Sequence, residues 1–325
     1  MVINLEHDKK LQRNHDNLFK NLVTKYFEEY IEFAHKELYN ELDFSDGYTL
    51  LSESVSEIQM FKGDGYDHTV DTAILIKTKS GEKIIIHIEY QSYKQKKFPK
   101  RMRKYHLLVA DKYDCEVISH AICFLKDQSA LPNELKTHTS TSSKSILHFI
   151  YDKIELYSYN INNYMNTNNP FILACMGLMK GINTNPEEKF PFANLKFQSY
   201  LNLKKLNLDD EQNNLIASFF EVYIPLNTEE QKYFMAQIAK MENETEEWIM
   251  NTAKNNVWSK TMYDEGKKDS IRNIFQYHIK KYKNNPKQLA ENTKVEEISQ
   301  MLQADVELVK SIKLEFNEFQ PKHHQ

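Results

Sequence analysis

The chain has 325 residues, enough for two domains, and its low Gly (7) and Pro (8) content argues against a loop-rich β architecture and for long helices. Cys115, Cys123 and Cys175 form no C-x-x-C pair and sit in apolar stretches, so neither a disulfide framework nor a thiolate zinc site is expected. No apolar run approaches the roughly 18 residues that span a bilayer and the first residues are polar, so no membrane insertion is expected and the default compartment is the cytoplasm.

In chain order, Leu18, Phe19, Leu22, Val23, Tyr26, Phe27, Tyr30 and Ile31 recur at helical spacing behind Asn14, a candidate N-cap, and predict a strongly amphipathic first helix. A polar break over Asp43 to Gly47 precedes three predicted strands, Tyr48 to Val55, His68 to Thr78 and Lys83 to Gln91. The last two are joined as a hairpin by Lys79-Ser80-Gly81-Glu82. Phe98 to Tyr113 carries Phe98, Met102, Tyr105, Leu108 and Val109 on one helical face, and Val117 to Leu125 returns to a β-like run, which completes an α-β-β-β-α-β order. Ser143 to Tyr159 predicts one further strand, and the Asn-rich stretch before Pro170 reads as a connector. Two domains are therefore expected, 1–160 and 161–325, the second α-helical with helices over 171–180, 210–223, 228–255, 258–283 and 295–315.

The chemistry concentrates on the hairpin. In the strand Lys83 to Gln91, His87, Glu89 and Gln91 share one face, while Ile84, Ile86, Ile88 and Tyr90 share the other. Asp71 lies on the neighbouring strand among Val70, Thr72, Ala73, Ile74 and Leu75, a setting in which an unpaired carboxylate costs several kcal/mol. If the register brings Asp71 beside Glu89, the pair suits a hard divalent cation, Mg²⁺ or Mn²⁺, which polarises a phosphodiester and activates water. The bland alternative pairs Asp71 with a nearby cation and leaves Glu89 and Gln91 on a solvent-exposed face. Residues 77 to 112 hold eleven basic side chains against three acidic ones, an excess of eight positive charges, which suits phosphate contacts from Lys97, Lys100, Arg101 and Lys104.

Four ordered motifs, His15-Asp16-x-x-Phe19-Lys20, Val70-Asp71, His87-Ile88-Glu89-Tyr90-Gln91-Ser92 and Phe98-x-x-Arg101-Met102-x-x-Tyr105, resemble the Rpn (recombination-promoting nuclease) or YhgA-like putative transposase family over roughly residues 14 to 130. The resemblance implies a PD-(D/E)XK, restriction-endonuclease-like fold and metal-dependent endonucleolytic DNA cleavage linked to recombination. It implies catalytic roles for Asp71, Glu89 and Gln91, and metal ligation by Asp71, Glu89 and the Tyr90 carbonyl. Gln91 stands where many such enzymes have lysine; a neutral amide can position water but cannot match a cation, which Arg101 or a lysine between Lys94 and Lys100 could supply. His15, Asp16, His87 and Tyr105 are accessory candidates; the bland reading of His15 and Asp16 is helix capping, and of His87 a hydrogen-bonded structural histidine. A homodimer fits an enzyme whose single domain cuts one strand. The alternative function is a DNA-binding or protein-interaction module that keeps the fold without turnover.

In the C-terminal half, Gly266-Lys267-Lys268 lacks the context of a phosphate loop. Val295 to Leu302 and Ala304 to Lys310 read as two short helices resembling a helix-turn-helix. A plain helical hairpin is preferred, because Glu296, Glu297, Asp305 and Glu307 would repel a DNA groove.

Overall fold

The computed structural model describes residues 15–51, 70–91, 97–124, 131–138, 145–182 and 187–256, and towards the C-terminus 268, 271–272, 274–277, 279–281, 293–302 and 305–317. The candidate N-cap Asn14 and the lysines Lys94 and Lys96 lie outside the described residues, as does the second half of the strand expected over Tyr48 to Val55.

The chain is mixed α/β. Helix α1 (15–25) is interrupted for one residue at Tyr26 and resumes as α2 (Phe27–Ala34), followed by α3 (Lys36–Glu41). Two short strands, β1 (Leu42–Asp43) and β2 (Thr49–Leu50), both pair with β3 (Thr72–Thr78), which forms an antiparallel hairpin with β4 (Lys83–Gln91). The hairpin turn contains Gly81 at φ 90°, a conformation that a residue without Cβ adopts at little cost. Helix α4 spans Phe98–Tyr113, as the sequence predicts; it begins with Pro99 in its first turn and ends at Asp114 in the left-handed region. It connects β4 to the parallel strand β5 (Glu116–Cys123), and β5 is flanked in turn by the parallel strand β8 (Asp152–Glu155). Among the described residues the sheet order is β1-β3-β4-β5-β8, with β2 beside β3.

Three departures have physical reasons. A strand that the sequence reading passed over, β6 (Glu134–His138), pairs with β7 (Ser145–Ile150) in a separate two-stranded sheet; its ELKTH sequence carries one strongly apolar residue, too weak a pattern to read. The single strand expected over Ser143 to Tyr159 is divided between β7 and β8, which belong to different sheets. The helix expected over Thr228 to Asn255 is two helices, α8 (Thr228–Ile238) and α9 (Asn243–Asn255), and no Gly or Pro marks the break between them.

Helices α5 (Pro170–Cys175), α6 (Pro191–Lys205, absent from the sequence expectations) and α7 (Asp210–Tyr223) follow the sheet. The described residues form two compact units, 1–253 and 254–325, so the division lies far beyond the expected 160. The reason is visible in the core. Phe19 meets Phe219 edge-on with ring centroids 5.1 Å apart, and Tyr30 meets Phe171 in the same manner at 5.2 Å. The helices after residue 160 thus help to bury the aromatic face of α1 and α2, and each fully buried aromatic contributes about 1.5–3 kcal/mol.

The sheet is covered on both sides. On one, Phe19 stacks on Tyr90 and Phe124, and Thr72 shares a hydrogen bond with Tyr90 at 2.8 Å. On the other, Tyr105 and Val109 of α4 pack on Ala73, Ile85 and Val117, while Phe98 and Met102 pack on Ala121, Cys123 and Phe149. In the second unit, Ile271 and Phe275 pack with Ile298 of α10 (Val295–Leu302) and with Val309 and Ile312 of α11 (Val306–Asn317). Cys123 and Cys175 are buried, and all three cysteines are free thiols. No helix among the described residues is long and apolar enough to cross a membrane.

Candidate active site

The hairpin register pairs Thr72 with Ile88, which sets Asp71, one residue before β3, opposite Glu89. The two acids are linked through backbone. Glu89 Oε1 accepts from the Asp71 N–H at 3.1 Å, and Asp71 Oδ2 accepts from the Tyr90 N–H at 3.0 Å. The strand parity expected for β4 holds, yet its polar face is not solvated: His87, Glu89 and Gln91 are each 0–1% exposed, because α4 lies over them. This excludes the exposed-face alternative.

Helix α4 runs back along β4, so Arg101 meets the end of the strand. Its Nε lies 3.3 Å from Glu89 Oε2, its Nη2 donates to Gln91 Oε1 at 3.2 Å, and its guanidinium carbon stands 4.9 Å from the Phe98 ring centroid. His87 Nε2 lies 3.2 Å from Glu89 Oε1, and its Nδ1 lies 3.2 Å from Ser119 Oγ, which is also 3.1 Å from His106 Nδ1. Tyr105 closes over His87 edge-on at 6.0 Å. Ser119 and His106 were missed in the sequence; a serine on the inward parity of an apolar strand was the available signal.

Asp16, on α1, faces the same group of charges. Burial, with Glu89 adding repulsion and Arg101 opposing both, raises its carboxyl to about 7, and its Oδ1 has no hydrogen-bond partner among the described residues. Asp71 is pushed well above the ordinary carboxylate range by burial first and by Glu89 second, against the pull of the Tyr90 N–H and Arg101. His15 turns away from this group: its Nδ1 meets the Tyr223 hydroxyl at 2.7 Å, so it ties α1 to α7.

The basic surface is smaller than the charge count suggests. Lys77, Lys79 and Lys83 lie at the turn of the hairpin, and Lys83 is six residues, roughly 20 Å of strand, from Glu89. Lys77 binds Asp46 and Lys79 binds the Asn40 carbonyl. Among the described residues, Lys97, just before α4, and Lys100 and Lys104 on it are exposed. Lys100 and Lys104 line a shallow hollow with Arg103 and Leu107.

Among the described residues no group of three or more His, Cys, Asp and Glu side chains is arranged to hold a metal ion by itself. The donors available are the Asp71 and Glu89 carboxylates, the Tyr90 carbonyl and the unpartnered, buried Asp16 Oδ1. This hard-oxygen set fits Mg²⁺ or Mn²⁺, since Mg²⁺ is commonly held by one or two carboxylates and keeps several waters. No protein-family model, curated protein or solved structure matches the chain. The fold and site define a mixed α/β protein with a buried centre of three carboxylates and an arginine at one end of its sheet.

Proposed function

We propose that this protein is a cytoplasmic, metal-dependent endodeoxyribonuclease of the recombination-promoting nuclease type, with a PD-(D/E)XK core and DNA as its substrate. The observation that carries the reading is the reciprocal bonding of Asp71 and Glu89 at the end of a hairpin, with Arg101 against Glu89 and exposed lysines at and just before the same helix. Asp71, Glu89 and the Tyr90 carbonyl would hold Mg²⁺ or Mn²⁺, which when bound lowers the pKa of water and polarises the phosphodiester.

The chain's own residues do the rest. Arg101 stabilises negative charge that develops on the phosphate. Asp16, with its carboxyl raised to about 7, is suited to take a proton near neutral pH. Lys97, Lys100 and Lys104 bind the backbone on either side. Cutting both strands would take two copies of the chain.

One observation favours the non-catalytic reading. Glu89 Oε1 already accepts from the Asp71 N–H and lies within reach of His87, while Oε2 is paired with Arg101, an arrangement that also serves a purely structural charge network. The test is incubation of supercoiled plasmid with wild type, Asp71→Ala and Glu89→Ala in Mg²⁺ or Mn²⁺. Nicking by wild type alone supports the enzyme. Absence of nicking in all three, or equal nicking, overturns it.

A further inference from the structure

Gln91 is a buried amide, 1% exposed, at the last position of β4 and on the face covered by α4. A buried glutamine needs partners for both ends of its amide, and its oxygen is engaged by Arg101 Nη2 at 3.2 Å. The same guanidinium approaches Glu89 Oε2 through Nε at 3.3 Å and lies near the Phe98 ring, 4.9 Å from its centroid. Positions 89 and 91 are two residues apart on one strand face, about 6.6 Å along the chain, and the planar fork of donors meets the two acceptors through separate N–H groups.

We infer that Gln91 is a positioning residue for Arg101: its side-chain oxygen holds the guanidinium against Glu89, so that α4 carries a cation to this site and the strand supplies its acceptor. The catalytic side of this inference rests on the nuclease reading; the positioning itself does not. It reverses the expectation that Gln91 orients water. It also makes Gln91→Lys the informative change, because lysine has three donors and no acceptor and would set a second cation beside the guanidinium.

Two measurements test it. Arg101 Nε–H is followed by NMR in wild type and in Gln91→Met, which keeps the length of the side chain without its acceptor. The expected result is a resolved, slowly exchanging signal in wild type that broadens or moves to the position of a solvent-averaged arginine in the variant; an unchanged signal overturns the inference. In plasmid nicking with Mg²⁺, Gln91→Lys and Arg101→Gln are each expected to lose about 100-fold, the scale of removing one charge-stabilising donor. The double variant Gln91→Lys/Arg101→Gln, with the cation on the strand and the amide on the helix, is expected to recover part of that loss. Gln91→Lys nicking as well as wild type, or better, also overturns the inference. If wild type and Asp71→Ala both leave plasmid intact, the nuclease reading fails, and the NMR result alone decides the role of Gln91.

Discussion

Glu89 and Asp71 each accept a hydrogen bond from the other's stretch of backbone, at 3.1 Å from the Asp71 N–H and 3.0 Å from the Tyr90 N–H. Two acids are thereby held at the end of one hairpin, and the Arg101 guanidinium opposes the charge that remains. Both the stability and the chemistry of the site should respond to each member.

Removing Glu89 takes the ion-pair carboxylate from Arg101, whose side chain is only 17% exposed. Glu89→Ala should cost about 3 kcal/mol, the scale of breaking a buried pair from one side. The double variant Glu89→Ala/Arg101→Met should cost less than the single, because the guanidinium is removed together with its carboxylate partner. Urea denaturation of the three proteins decides; a double variant less stable than Glu89→Ala contradicts the pairing.

The Asp16 carboxyl has an ordinary value of 3.8 and is raised to about 7 by burial and by Glu89. Its protonated form is thus favoured in the folded protein, which binds more protons than the unfolded chain between those values. The sign follows: this group's contribution is full below pH 4 and is lost as pH rises to about 7. Asp16→Asn should raise the melting temperature relative to wild type at pH 8 and bring little gain at pH 4.5. Thermal scans at the two pH values check this, and a gain of equal size at both would refute it.

His120 gives the opposite slope. It is fully buried, its Nδ1 meets the Tyr30 hydroxyl at 2.8 Å, and its Nε2 points towards Asp152 at 3.6 Å with His35 stacked alongside. Burial first, then His35 and His87, depress its pKa from 6.5 to about 3. The unfolded chain therefore takes up a proton below pH 6.5 that the folded protein refuses, and stability is lost as pH falls through that window. His120→Gln should flatten the loss of stability between pH 6.5 and 4. Tyr30→Phe should cost about 1–3 kcal/mol at pH 7.5 by leaving a buried ring nitrogen without its partner. Denaturant midpoints across the pH series test both.

If the protein binds DNA as proposed, the exposed lysines at and just before α4 should set the salt dependence. If Lys97, Lys100 and Lys104 each neutralise one phosphate, replacing all three by alanine should reduce the slope of log K against log salt by about 2.7. Fluorescence anisotropy with a labelled duplex, in Ca²⁺ to suppress cleavage, measures it. An unchanged slope would move the DNA path off this helix.

Local rules made much of the frame legible. Alternation along Lys83 to Gln91 placed His87, Glu89 and Gln91 on one face, the Lys79 to Glu82 turn set the hairpin, and helical spacing of apolar residues bounded α4 at Phe98–Tyr113. Each of these depends on a period of two or 3.6 residues, or on a terminal signal within a few positions, all of which the chain displays locally.

What the polar face of β4 looks out on was decided by tertiary structure alone. Packing of α4 across that face turned an apparently solvated row into a buried one, and it brought Arg101 to Glu89 and Gln91. The arrival of Asp16 from the first helix, and the covering of α1 and α2 by Phe171 and Phe219, depend on contacts across tens to about two hundred residues. Such contacts are selected by the shape and burial of the whole core, and no local period in the sequence encodes them.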